Sequence, residues 1–143
     1  MRVEKELSVA DGVYTFCPLG KATLVEGVEL VSDAITYCRV RNITKLLVDL
    51  RDLFGYPVPS LADRYWMVQD WAEAAQGALI VAVVALPEYI DPNKVGVKAA
   101  ADAGLKGDVF TSVADASAWL LANEPAVGFE STRALASGRS GSN

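Results

Sequence analysis

The run ALIVAVVAL, Ala78 to Leu86, constrains this chain more than any other stretch. It holds no polar residue and ends at Pro87. It is far shorter than the roughly 18 apolar residues of a membrane span. An apolar run of strand length without alternation fits a strand buried on both faces, as in a parallel sheet covered by helices. A second run, Lys45 to Leu50, is apolar except at Lys45 and Asp49 and reads as the central strand. The segments between and around these runs must therefore supply the covering helices.

Two weakly alternating stretches open the chain, Val3 to Val9 and Val13 to Cys17, with the turn signal Ala10-Asp11-Gly12 between them. They predict a hairpin whose second strand stops at Pro18 and Gly20. Thr23 followed by Glu26 is a capping box and starts a helix. Leu24, Val28, Val31, Ile35 and Cys38 form its apolar stripe, Glu26, Glu29 and Asp33 face water, and Arg41-Asn42 ends it. After the central strand, Ser60 and Asp63 make a second capping box. The spacing places Leu61, Tyr65, Val68, Ala72 and Ala75 on the buried stripe of that helix, flanked by Met67 and Trp71. Trp66 projects opposite, among Ala62, Asp70 and Glu73.

Asp91-Pro92-Asn93 leads into a helix reaching about Ala103, with Gly104 closing it. Asp108 to Thr111 is a short strand, and Ser112 with Asp115 forms a third capping box for a helix ending near Asn123. The order is β-β-α-β-α-β-α-β-α. It predicts an α/β domain over residues 1–123, with a mixed, mostly parallel sheet of about five strands and about four helices. Residues 124–143, rich in Gly and Ser toward the end, read as a disordered tail.

Composition removes several function classes. The chain of 143 residues carries a net charge of −5 with no basic cluster, which argues against nucleic-acid binding. It has no histidine, so Ser–His and Cys–His nucleophile pairs, imidazole bases and histidine metal sites are all excluded. Cys17 and Cys38 stand far apart in no metal-like spacing and read as reduced core residues. No cofactor or metal is expected, and no Gly-rich phosphate loop occurs. The N-terminus MRVEKELSVADG has charges where a signal peptide needs an apolar stretch, so a cytoplasmic protein without a membrane span is expected.

The hairpin and helix, then LLVDLRDL, a loop, a Ser-capped helix, ALIVAVVAL and the closing VFTSVADASAWL resemble the SpoIIAA-like branch of the STAS superfamily. That is the anti-sigma-factor antagonist fold, related in shape to the CRAL-TRIO lipid carriers. The resemblance spans roughly residues 1–123 and implies a non-enzymatic regulatory or protein-interaction module. Phosphorylatable members carry an Asp-Ser pair, usually followed by Ser or Thr and Gly, where the helix after the central strand begins. Here that place reads Tyr56-Pro57-Val58-Pro59-Ser60-Leu61, and Ser60 alone matches.

Four groups of residues are candidates for function. Within the loop-helix region 55–71, Tyr56, Ser60, Tyr65, Trp66 and Asp70 form an aromatic, proline-bracketed rim suited to binding a protein partner or a second copy of the chain. Ser60 is a candidate phosphosite at a helix N-terminus, although the cap alone accounts for a serine there. Lys94 and Lys98, one turn apart, are a candidate anion site. Asp49 and Asp52 at the end of the central strand would suit a Mg²⁺-dependent enzyme or a phosphoacceptor, but Asp49 beside Arg51 reads better as a loop-ordering charge pair. A carrier or sensor of a small apolar or amphipathic ligand is the alternative function, and it requires a cavity.

Overall fold

Asp11 and Gly12 both take positive φ, 55° and 79°, and fold the first two strands into a hairpin. The computed structural model describes residues 3–125, with side chains from residue 11 onward. Strand β1 (Val3–Ala10) pairs antiparallel with β2 (Val13–Lys21), from Val3 opposite Gly20 to Ala10 opposite Val13. Contrary to the expectation that Pro18 and Gly20 stop it, β2 continues to Lys21. The reason lies in the ladder. Gly20 N donates to Asp52 O and Ala22 N to Phe54 O, so by the strand's period of two the nitrogen of Pro18 faces the same side. The next strand pairs with β2 only as far as Phe16, and pairing resumes at Gly20. Pro18 sits in that gap, where a missing N–H costs no ladder bond.

The rest of the sheet is parallel. β3 (Lys45–Asp49) lies between β2 and β5 (Ile80–Val84), and β6 (Gly107–Phe110) closes the far edge, in the order β1-β2-β3-β5-β6. A sixth strand that the sequence does not announce, β4 (Leu53–Phe54), pairs parallel with the end of β2. Side chains alternate between two cores. Leu46, Val48 and Val81 face α1 (Leu24–Val40), α2 (Leu61–Ala75) and α3 (Val95–Asp102), whereas Leu47, Ile80, Ala82 and Val84 face α4 (Val113–Ala122). Helices cover both faces, which is why the strands read as unbroken apolar runs.

Helix α1 has the expected capping box, with Thr23 N donating to Glu26 Oε1 at 2.8 Å and Glu26 N to Thr23 Oγ1 at 3.1 Å. Its buried stripe is Val28, Val31, Ala34, Ile35 and Cys38. Three bonds tie it to α2: Trp71 Nε1 to Val28 O at 3.1 Å, Arg39 Nε to Ala74 O at 2.7 Å, and Ser32 Oγ to Asp70 Oδ2 at 2.7 Å.

Helix α2 corrects the expected stripe. Its buried residues are Val68, Trp71 and Ala75, while Leu61 and Tyr65 are 57% and 52% exposed. Apolar residues occur on both sides of this helix, and only its seat between α1 and α3 decides which set is covered. At α4 a second correction applies. Asp115 N donates to Ser112 Oγ at 3.1 Å, but no return bond reaches the Ser112 amide among the described residues. Ser112 has φ −135°, against −73° and −78° at the two complete boxes, and this more extended backbone turns its N–H away.

Cys17 and Cys38 form no disulfide, and Cys38 is fully buried. No helix among the described residues is long and apolar enough to cross a membrane. The tail expected after residue 123 lies, from residue 126, outside the described residues.

Candidate functional site

The C-terminal ends of β3, β5 and β6 point to the same end of the sheet, where α/β folds usually bind their ligands. Asp49, the last residue of β3, is buried at 7% exposure. Arg51 closes on it with its backbone N at 3.1 Å, Nε at 2.9 Å and Nη2 at 2.8 Å. Burial alone would raise the Asp49 carboxyl, but the hydrogen bonds and charge of Arg51 outweigh it and hold the carboxyl below its ordinary value. Asp52 is exposed, and its backbone carbonyl holds β2. Among the described residues no three metal-ligating groups come together. The charge pair expected from the sequence is therefore present, and Asp49 is committed to it.

The loop after β4 and the start of α2 form the rim. Ser60 and Asp63 cap α2 reciprocally at 3.0 Å each way. The amide of Ser60 first, then Trp66 Nε1 and the Ser60 hydroxyl, hold the Asp63 carboxyl below its ordinary value. The bond from Trp66 Nε1 to Asp63 Oδ1, 3.2 Å long, pins an indole that stays 39% exposed. Tyr65 is exposed beside it. Asp70 is exposed with its carboxylate on Ser32, and the Ser60 hydroxyl accepts the cap bond.

Tyr56 turns inward. Its carbonyl accepts from Tyr89 Oη at 3.2 Å, and the two rings lie 5.2 Å apart. Burial, with Tyr89 beside it, pushes the Tyr56 phenol up. The rim also includes Phe54, Val58 and Leu61, all more than half exposed, which sequence reasoning missed. The only signal for them was their closeness to Pro57 and Pro59. Leu61 in particular is apolar and in phase with the core.

Under this rim lies a cavity of about 150 Å³ between α1, α2, α3 and the sheet. Val28 and Val31 wall it from α1, Met67, Val68 and Trp71 from α2, and Val81 and Val83 from the sheet. Small residues keep it open. Gly96 and Ala100 stand where a larger side chain on α3 would fill it, and Gly96 has only Val68 Cγ1, at 3.9 Å, near the position of a Cβ. Tyr56, Pro59, Arg64, Tyr89, Asp91 and Lys94 also line the cavity, and their partial exposure marks its mouth. Arg64 Nη2 donates to Tyr89 O at 3.3 Å.

Lys94 is the N-cap of α3 in a left-handed conformation, and its Nζ bonds Asp108 Oδ1 at 2.9 Å. Lys98 is exposed one turn on. Lys98 N donates to Lys94 O at 3.1 Å, and the Lys94 ammonium already holds a carboxylate.

No family model and no curated protein matches the chain. Among solved structures it is similar to an anti-sigma factor antagonist from Mycobacterium paratuberculosis, with a TM-score of 0.54 and 15% identity over 84% of this chain and 95% of that one. It is also similar to an uncharacterized DUF3478-family protein with a SpoIIAA-like fold from Shewanella loihica, with a TM-score of 0.48 and 17% identity over 82% and 93% of the two chains. The hairpin, the parallel sheet and the helices on its two faces thus share the fold of that solved anti-sigma factor antagonist.

Proposed function

We propose that this chain is a non-enzymatic regulatory module that binds a protein partner through the rim and the outer side of α2. The observation that carries this reading is the clustering of Phe54, Val58, Leu61, Tyr65 and Trp66. These large apolar side chains, close in sequence, are all left 39–57% exposed. Tryptophan and tyrosine dominate interface energetics, and an indole already pinned by Asp63 loses little freedom on docking. The fold is shared with an antagonist of another protein, which supports the same reading. Its non-enzymatic character is supported by the lack of histidine and by the commitment of Asp49 to Arg51. Two cysteines that form no disulfide suit a reducing, cytoplasmic compartment.

A photo-crosslinking residue placed at Tyr65 tests the reading in the protein's own source. The expected outcome is one defined protein adduct, or a dimer of this chain, that Trp66→Ala reduces by at least tenfold while the thermal midpoint moves little. No adduct, or the same adduct from a crosslinker at Tyr37 on α1, would refute it.

The cavity favours a second reading, a carrier or sensor of a small apolar or amphipathic ligand. Its walls are almost wholly apolar and its few polar groups converge at the mouth, as in ligand sites generally. Tyr56 and Pro59 belong to the same segment as the partner rim. One element would then serve both roles.

A further inference from the structure

We infer that the cavity takes a small monoanion with a ring-sized apolar body, its anionic group held at the mouth by Arg64. This assignment rests on the ligand-binding reading above and names the chemistry of the ligand.

The size of the body follows from the volume. A cavity of about 150 Å³ lined by aliphatic and aromatic side chains is the size at which an engineered cavity elsewhere stays dry and accepts benzene. Water in such a place needs two to four polar partners, and Val28, Val31, Val68, Val81, Val83 and Leu105 offer none. A six-membered ring or a short branched chain would recover the dispersion contacts that these walls lack. A long acyl chain exceeds the space.

The charge follows from counting commitments at the mouth. Lys94 and Asp108 close on each other at 2.9 Å. Asp91 Oδ2 accepts from Asn93 N at 3.1 Å and Val95 N at 3.0 Å, holding the first turn of α3. Arg64 differs from these. A guanidinium has five N–H donors, yet its protein contact is the single 3.3 Å bond to Tyr89 O, and no carboxylate pairs with it among the described residues. Among the described residues at the mouth, Arg64 is thus the cation without a carboxylate partner, and it is half-buried, while the Asp91 carboxylate is taken up by two backbone N–H groups. The Arg64 guanidinium is also forked, which suits a carboxylate bound through two oxygens.

Calorimetric titration of the full chain with 3-phenylpropionate and its neutral amide tests the assignment. The comparison uses wild type, Arg64→Met, Arg64→Lys and Gly96→Leu. The acid should bind wild type about ten to a hundred times more tightly than the amide, the range for hydrogen bonds to a charged group. Arg64→Met should abolish that preference, and Arg64→Lys, which keeps the charge and loses the fork, should retain part of it. Gly96→Leu, which fills the space, should abolish binding of both probes. Equal binding of acid and amide, unchanged in both Arg64 variants, would overturn the anion assignment and leave an apolar cavity standing. Absence of binding by either probe to wild type, or undiminished binding to Gly96→Leu, would overturn the cavity reading itself.

Discussion

Gly96→Ala should stabilise this domain, although it alters the wall of its best candidate site. Gly96 lies in the first turn of α3 with a φ outside the left-handed region, so alanine fits the backbone without strain. Its Cβ would meet Val68 Cγ1 at 3.9 Å, an ordinary van der Waals contact, and nothing else within 4 Å. Restricting the unfolded chain contributes about 0.4–1 kcal/mol. A methyl placed in a partly covered void adds at most about 0.8 kcal/mol. The sum is about 0.4–1.8 kcal/mol, or roughly 1–6 °C in thermal midpoint for a chain of this size.

Gly107, which lines the same cavity from β6, provides the opposite case. A Cβ there would stand 2.8 Å from Val81 O, in the backbone of the paired strand, and Gly107→Ala should cost about 1–3 kcal/mol. Urea unfolding with unchanged m-values, alongside thermal melts, gives both numbers. If Gly96→Ala is neutral or destabilising while Gly107→Ala behaves as expected, the wall at α3 is closed and the cavity is smaller than the geometry states. If both are neutral, the strand register between β5 and β6 is wrong.

Two further outcomes can be checked. Asp49 has a depressed folded pKa, so its pairing with Arg51 stabilises fully above the unfolded carboxyl value of about 4 and is lost as pH falls through the lower folded value. Asp49→Asn should therefore cost about 2–3 kcal/mol at pH 7. That gap to wild type should shrink steadily in urea midpoints taken from about pH 5 downward, and a gap independent of pH would refute the ion pair. Burial pushes the Cys38 thiol up to about 12, so iodoacetamide at pH 8 should leave Cys38 unmodified in the native protein and label it in urea. Native labelling at Cys38 would place it outside the core.

Much of the architecture is local in origin and was legible in the sequence. ALIVAVVAL and KLLVDL declare strands covered on both faces because nothing polar interrupts the first and only Lys45 and Asp49 flank the apolar centre of the second. Thr23 with Glu26 and Ser60 with Asp63 start helices because each pair satisfies amide groups within one turn. The Asp49–Arg51 pair was legible for the same reason, its partners being two residues apart. The exposure of Trp66 was also readable, since Asp70 and Glu73 share its side of α2.

Only the tertiary structure decided the rest. Pro18 continues a strand because β3 ends before it and β4 begins after it, a gap set by the ladder and not by proline itself. Leu61 and Tyr65 are exposed because α1 and α3 grip α2 along Val68, Trp71 and Ala75, and helical phase alone cannot choose between two apolar sides. The cavity was illegible because it consists of what is missing. Gly96 and Ala100 on one helix, valines on two others and the sheet, and Arg64 at the mouth are ordinary residues one at a time, and the space appears only when the sheet brings them around one point.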